Sequence, residues 1–143
     1  MSDDKAVSIV VIEDESIVAL DMQSRLQAMG YQVPALARTA EKGIELCREL
    51  NPSICLVDIQ LPGDMDGIDA AETLRTQLRI PVVFLSAFSD SDHIERAKAS
   101  YPYAYLLKPF QERELAIAID LAIARHQADQ ALQRQHDLLE TIM

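Results

Sequence analysis

Acidic, hydroxyl and amine side chains follow four short apolar runs of this 143-residue sequence. Glu13 and Asp14 follow the first run, and Asp58, Ser86 and Lys108 each follow a later one. Neighbouring carboxylates repel one another unless a cation lies between them. An all-oxygen cluster suits Mg²⁺, which binds one or two carboxylates together with water and phosphate oxygens. The residue types therefore predict a Mg²⁺ site in which Lys108 could pair with Asp58 at rest. Lys108 and Ser86 could then bind an incoming phosphoryl group.

Asp58 is the candidate nucleophile of this group. Val57 and Ile59 flank it with apolar bulk, so it is harder to explain as a simple helix cap than an acid such as Asp14. A carboxylate can form a covalent aspartyl phosphate, and a metal ion offsets the charge that moves during the transfer. Taken singly, Ser86 could be a cap and Lys108 a solvated charge. Their succession at strand ends favours one common site.

The apolar runs alternate with segments of helical periodicity, which predicts a repeating strand–helix order. Strands are expected at residues 7–12, 31–37, 53–57, 81–85 and 104–107. Helices are expected where Ala19, Met22, Leu26 and Met29 form one face before Gly30, over residues 39–50, 68–77 and 89–100, and from about 111 onward. The helix over 39–50 would be capped by Thr39, would carry the apolar residues Ile44, Cys47 and Leu50, and would end at Asn51-Pro52. Continuously apolar strands are typical of a parallel sheet covered on both faces. The sequence thus predicts a doubly wound α/β fold, whose chemistry collects at the carboxyl ends of the strands.

Composition and charge exclude several classes of protein. The length fits one domain, and 49% apolar with 25% charged residues is typical of globular proteins. Acidic residues outnumber basic ones 23 to 13, and the net charge of −10 disfavours unaided binding to nucleic acid or anionic lipid. No apolar run approaches the roughly 18 residues of a membrane span. We expect a cytoplasmic protein with Cys47 and Cys55 as reduced core residues.

Four stretches of the sequence resemble the receiver domain of a two-component response regulator. They are residues 10–15, 56–62, 84–87 and 105–110, and the resemblance extends over about residues 7–122. It implies a flavodoxin-like, doubly wound, five-stranded parallel sheet of order 2-1-3-4-5. On this basis we expect a receiver domain over residues 1–124 and an extended C-terminal helix over residues 125–143.

The resemblance implies a role for each acidic residue of the site. Asp58 would accept a phosphoryl group from a sensor histidine kinase or a phosphotransfer protein in a Mg²⁺-dependent reaction. Asp14, Asp58 and the backbone carbonyl of Gln60 would bind Mg²⁺ directly, and Glu13 would bind it through water. Such a chain would modify itself and slowly hydrolyse its own phosphate, and would not otherwise be an enzyme.

The resemblance also implies which residues would respond when Asp58 is phosphorylated. Lys108, whose bond to Pro109 is cis in this family, would contact the phosphoryl group. Ser86 and Tyr105 would form the switch, with Ser86 following a phosphoryl oxygen and Tyr105 turning inward behind it. The responding surface would be the fourth helix, the fifth strand and the fifth helix, which would control a downstream output. This surface or the C-terminal helix could also form a homodimer.

Several positions depart from the usual receiver pattern. The turn at residues 63–67 is one residue longer than is common, and Tyr101-Pro102 replaces the usual Gly-Ala before the fifth strand. We interpret Tyr101 and Tyr103 either as part of a different helix terminator or as an aromatic patch for a partner. We also hypothesise that Phe88 shields the acyl phosphate from water.

Two other functions use similar residues. A haloacid-dehalogenase-type phosphatase also has an Asp nucleophile, a hydroxyl, a Lys and Mg²⁺, but it needs a second Asp where Gln60 stands. A phosphorylation-independent docking module is the other alternative, although such degenerate receivers usually lose an acid or the lysine. Neither is lost here.

The last helix is predicted to continue beyond the receiver, because no Gly or Pro occurs after residue 110. Apolar residues recur along it at coiled-coil spacing, with one Gln among them: Leu121, Ala124, Ala128, Ala131, Gln135, Leu138 and Ile142. Three readings stay open, namely a solvated tail, a dimerising helix and a connector to an output domain. Residues 136–143 resemble the lead-in helix of a PAS sensor domain, so we expect a longer regulator with a PAS-like or other output module.

Overall fold

A five-stranded parallel sheet forms the centre of the protein. The computed structural model describes residues 6–87 and 104–142. Its strands are β1 (Ser8–Ile12), β2 (Gln32–Ala37), β3 (Ile54–Asp58), β4 (Val82–Ala87) and β5 (Ala104–Lys108). They lie in the order β2-β1-β3-β4-β5, and every neighbouring pair is parallel. The predicted flavodoxin-like, doubly wound sheet of order 2-1-3-4-5 is confirmed.

Four helices connect and extend the described strands: α1 (Ser16–Ala28), α2 (Ala40–Leu50), α3 (Gly67–Thr76) and the C-terminal helix (Glu112–Ile142). Thr39 caps α2 as predicted, since its hydroxyl accepts a hydrogen bond of 3.2 Å from the backbone N–H of Lys42. Asn51 ends that helix in the left-handed conformation, with φ of 46°. No helix in the described part of the chain is long and apolar enough to cross a bilayer.

The sheet is covered on both faces, which explains why its strands are continuously apolar. Along β1, Val10 and Ile12 face the core under α2 and α3, whereas Ile9 and Val11 face the core under α1 and the C-terminal helix. In β3, Cys55 and Val57 face the first of these cores and Ile54 and Leu56 face the second. Cys47 and Cys55 are free and buried, as the sequence predicted.

Some predictions concern residues that the structure does not describe. The predicted fourth helix over residues 89–100 lies outside the described residues. The same holds for Phe88, Tyr101 and Tyr103.

Gly67 brings the start of α3 against the backbone of β3, and the approach leaves no room for a side chain. A Cβ atom there would run into the carbonyl oxygen of Asp58. The Gly67 N–H also donates a 3.0 Å hydrogen bond to the carbonyl of Ile59. We therefore expect Gly67→Ala to lower the free energy of unfolding by about 2–3 kcal/mol, measured by urea denaturation.

The matched control is Gly43→Ala in α2. There a Cβ atom would meet Cδ1 and Cγ1 of the buried Ile12 side chain, which would have to shift, but no backbone atom. Alanine also adds roughly 1 kcal/mol of helix propensity at that position. If Gly67→Ala lowers the free energy of unfolding by no more than Gly43→Ala does, the steric argument is wrong.

Candidate functional site

The polar residues predicted to act together lie at one edge of the sheet. Asp58 ends β3, Lys108 ends β5, and Glu13 and Asp14 directly follow β1. Pairing in the sheet sets Asp58 beside Leu85 of β4, one residue before Ser86. In the next pair Ala87 lies opposite Lys108. Because the strands are parallel, their carboxyl ends meet and bring these side chains together.

Three carboxylates form the acidic part of the site. One oxygen from each of Glu13, Asp14 and Asp58 lies within 4.8 Å of the other two. Glu13 and Asp58 are buried and Asp14 is half-buried. Negative charges held this closely attract a cation, and an all-oxygen set fits the preference of Mg²⁺. The chemistry of the donors thus agrees with the metal predicted from the sequence.

Lys108 bridges two of these acids. Its Nζ donates to Glu13 Oε1 at 2.9 Å and to Asp58 Oδ2 at 3.1 Å, and the lysine itself is half-buried. The sequence suggested the contact with Asp58 but missed the shorter one with Glu13. Glu13 Oε2 in turn accepts a hydrogen bond of 3.1 Å from the backbone N–H of Glu15. Both oxygens of Glu13 are therefore engaged within the protein.

Burial and charge set the protonation of these groups. Burial raises the pKa of Asp58 to about 7, and the charge of Glu13 adds to this, although Lys108 and the backbone N–H of Gln60 oppose it. Burial also disfavours ionised Glu13, but hydrogen bonds from Lys108 and Glu15 outweigh it and lower the pKa of Glu13. Burial likewise disfavours charged Lys108, yet its two carboxylate partners raise the lysine pKa. The pair of Glu13 and Lys108 is therefore ionised at neutral pH, whereas Asp58 keeps its proton to a higher pH than an ordinary aspartate does.

The remaining predicted residues surround Asp58. The backbone N–H of Gln60 donates to Asp58 Oδ1 at 3.0 Å, and its side chain is exposed. Ser86 is fully buried, and its hydroxyl has no hydrogen-bond partner among the described residues. Tyr105 is 37% exposed, so it does not occupy the inward position implied for the switched state. The Lys108–Pro109 peptide bond is cis, as the resemblance implied.

An open pocket of about 390 Å³ leads from solvent to the carboxylates. Asp14, Asp58, Gln60, Pro62 and Lys108 are among the residues that line it. Its polar walls leave space for a phosphoryl group and bound water above Asp58.

Arg38 also lies beside the acidic cluster and was not among the site residues predicted from the sequence. Its Nε donates to the backbone carbonyl of Asp14 at 3.4 Å. Together with Asp14, Thr39 and Pro62 it lines a neighbouring depression. The signal that could have found it is its position directly after β2, where the same strand-end argument applies.

Comparisons with known proteins agree with this geometry. The model of the response regulator receiver domain family matches residues 9–120. The transcriptional regulatory protein PdtaR of Mycobacterium tuberculosis is 34% identical over 125 residues, which are 87% of this chain and 60% of that protein. The chain thus spans well under two thirds of this curated relative.

Two solved structures have the same fold. The signal receiver domain of a modulated diguanylate cyclase from Desulfovibrio desulfuricans G20 aligns with a TM-score of 0.82 and 29% identity, over 87% of this chain and 99% of that one. The N-terminal domain of a response regulator/sensory box/GGDEF three-domain protein from Carboxydothermus hydrogenoformans aligns with a TM-score of 0.76 and 28% identity, over 85% and 98% of the two chains. With the family model covering most of the chain, these matches establish that it belongs to the response regulator receiver domain family.

Proposed function

We propose that Asp58 accepts a phosphoryl group from a phosphohistidine of a sensor histidine kinase or a phosphotransfer protein. One observation carries this proposal: a buried carboxylate at the foot of an open pocket, held between further acids and the ammonium of Lys108. A carboxylate so placed can attack an electrophile that enters through the pocket. The neighbouring charges are arranged for a dianionic group accompanied by a divalent cation.

The transfer itself exchanges one bond for another. An oxygen of ionised Asp58 attacks the phosphorus, the new O–P bond forms, and the N–P bond of the phosphohistidine breaks. The imidazole leaves with the electron pair of that bond. Lys108 neutralises charge on the phosphoryl oxygens, and the hydroxyl of Ser86 donates to one of them.

Mg²⁺ would be held by Asp14, Asp58 and the backbone carbonyl of Gln60. When bound, it supplies positive charge that stabilises the transferred phosphoryl group. Glu13 is fully buried and is not among the residues that line the pocket, whereas Asp14 and Asp58 are, which supports a contact from Glu13 to the ion through water only. A cation at this point also favours the ionised, nucleophilic form of Asp58.

The acyl phosphate would act as a switch because it adds roughly −2 of charge at one point of the sheet. Lys108 and Ser86 would turn toward the new oxygens, and Tyr105 would move inward. The response would pass to β5, the C-terminal helix and the predicted fourth helix at residues 89–100. We further propose a receiver over residues 1–124 and a helical extension over 125–143 that leads to an output module. The three-domain neighbour, whose receiver is N-terminal, supports this arrangement.

Incubation with a small-molecule phosphodonor and Mg²⁺ tests the proposal. We expect intact-mass spectrometry to show one added phosphoryl group that is labile at alkaline pH and absent when Mg²⁺ is chelated. Asp58→Asn should abolish the addition, because an amide oxygen is a poor nucleophile. Asp64→Asn, in an exposed loop near the pocket, is the matched control and should be phosphorylated like the parent.

Two results would contradict this function. Phosphorylation of Asp58→Asn at the parent rate would remove Asp58 from the reaction. A parent protein that binds Mg²⁺ but takes up no phosphoryl group would favour a docking module. Repeated turnover of a chromogenic phosphate ester would instead indicate the phosphatase alternative.

A further inference from the structure

The C-terminal helix has two apolar faces, of which the sheet covers one. Leu115, Ala118, Ile119 and Ala122 are buried in the core against the strands. Ile117 is 59% exposed and Leu121 is 41% exposed. Each lies two residues from Ile119, which is about 200° around an α-helix. The second apolar face therefore points away from the sheet.

This second face continues along the part of the helix that leaves the domain. No residue from 124 to 141 is buried, and Leu132, Leu138 and Leu139 are 67%, 61% and 58% exposed. A helix in a protein is stabilised mainly by tertiary packing of an apolar face, and residues 124–141 have no such packing within the described part of the chain. Exposed apolar surface that recurs along such a helix is typical of a site that binds a partner.

The exposed face follows a heptad repeat. The a positions are Leu121, Ala128, Gln135 and Ile142, and the d positions are Ile117, Ala124, Ala131 and Leu138. The seam defined by these eight residues runs for about 38 Å, nearly four heptads. Leu132 and Leu139 fall at e positions and widen its apolar edge. The contribution of Ile117 becomes evident only in the structure, where it lies on the uncovered face.

We propose that this seam binds the seam of a second copy of the chain as a parallel two-stranded coiled coil. Charge complementarity supports that occupant and orientation. Asp120 lies at a g position and Arg125 at the following e position, and both are exposed. In a parallel pair each g residue faces the next e residue of the partner, so two opposite-charge pairs form by symmetry.

The antiparallel arrangement lacks this complementarity. With the same seam aligned about its centre, e positions face e positions and g positions face g positions. Arg125 would then lie opposite Leu132 of the other helix, and Asp120 opposite Thr141. In the parallel arrangement Gln135 faces its own copy across the axis, and a single polar a position is a known means of specifying register.

The seam predicts a reversible dimer. Three of its eight residues are Ala, which allow close approach but bury little apolar area. None of the seam residues is among those that line the pocket above Asp58. The association therefore goes beyond the proposed phosphoryl transfer and does not depend on it.

Sedimentation equilibrium of the full chain over a range of concentrations tests the dimer. Gln135→Glu places two carboxylates across the axis, and we expect at least a tenfold higher dimer dissociation constant. Gln133→Glu is the matched control, because the same substitution two residues earlier lies at the outward f position. It sets a like charge beside Asp137 and so weakens the helix slightly, yet it should dimerise as the parent does.

Oxidation of Gln135→Cys tests the orientation. In the parallel dimer the two new thiols meet and form an intermolecular disulfide, whereas Cys47 and Cys55 are buried. In the antiparallel dimer position 135 lies opposite position 124, so the two thiols are roughly 16 Å apart and cannot bond. Asp58→Asn should leave both results unchanged, which separates this proposal from the one on phosphoryl transfer.

Several outcomes would overturn the inference. If the chain is a monomer at every concentration, the seam does not bind a second copy. A trimer would exclude a two-stranded coil. If Gln135→Glu and Gln133→Glu raise the dimer dissociation constant equally, the dimer does not form along this seam. A dimer of Gln135→Cys that fails to cross-link would exclude the parallel orientation.

Discussion

Lys108→Met should lower the free energy of unfolding by about 3 kcal/mol in Mg²⁺-free buffer. The substitution preserves most of the side-chain volume but removes the ammonium that contacts Glu13 at 2.9 Å and Asp58 at 3.1 Å. Glu13 is fully buried, so its carboxylate would be left without a counter-ion in a poorly solvated place. Urea denaturation near neutral pH measures the loss.

The chain provides a control and a rescue for this prediction. Lys42 forms an ion pair with Glu45 at 3.6 Å in which both side chains are more than half exposed. Lys42→Met should therefore cost less than about 1 kcal/mol. Adding Glu13→Gln to Lys108→Met removes the unpaired charge and should recover much of the lost stability. If Lys108→Met and Lys42→Met lower the free energy of unfolding equally, the assignment of a buried ion pair to Lys108 is wrong.

Asp58→Asn should have the opposite effect to Lys108→Met. In Mg²⁺-free buffer at alkaline pH it should raise the free energy of unfolding. Burial raises the pKa of Asp58 from 3.8 to about 7, so the folded protein keeps a proton that the unfolded chain has released. Between these pKa values the stability contributed by Asp58 falls as the pH rises. The advantage of Asp58→Asn over the parent should therefore grow by about 2–3 kcal/mol from pH 5 to pH 8.

Two comparisons separate this effect from a general one. Asp64→Asn makes the same substitution at an exposed residue, and an equally large growth with pH in this control would contradict the role given to burial of Asp58. Mg²⁺ should reduce the advantage of Asp58→Asn, because a ligand that binds only the folded parent stabilises it. If Asp58→Asn is the less stable protein at pH 8 without Mg²⁺, burial of the charge is not the dominant cost at this position.

The elements that position the site were predictable from local signals. Every described strand lies within two residues of its predicted bounds, because each is a short apolar run bounded by polar, Gly or Pro residues. The caps at Thr39 and Asn51 follow from backbone chemistry and need no tertiary information. Strand order, by contrast, came from the resemblance, since periodicity alone does not specify which strands are neighbours.

The different environments of the two adjacent acids Glu13 and Asp14 were not predictable from the sequence. Glu13 and Asp14 look alike in the sequence, yet one is buried against Lys108 and the other borders the pocket. Their directions depend on rotamers and on packing from distant parts of the chain. Similarly, Leu50 was placed on the buried face of α2, but it is 42% exposed, because α2 ends there and the chain turns at Asn51.

The charged residues of the site lie at the ends of strands that differ in the number of neighbouring strands with which they pair. Glu13, Asp14 and Asp58 stand on β1 and β3, which are hydrogen-bonded to strands on both sides. Lys108 stands on β5, which pairs within the sheet with β4 alone. An edge strand opens at a lower free-energy cost than the strands at the centre of a sheet. Fraying at this edge would carry the Lys108 ammonium away while the acids stay in place, so the neutralisation of charge in the pocket depends on an edge strand.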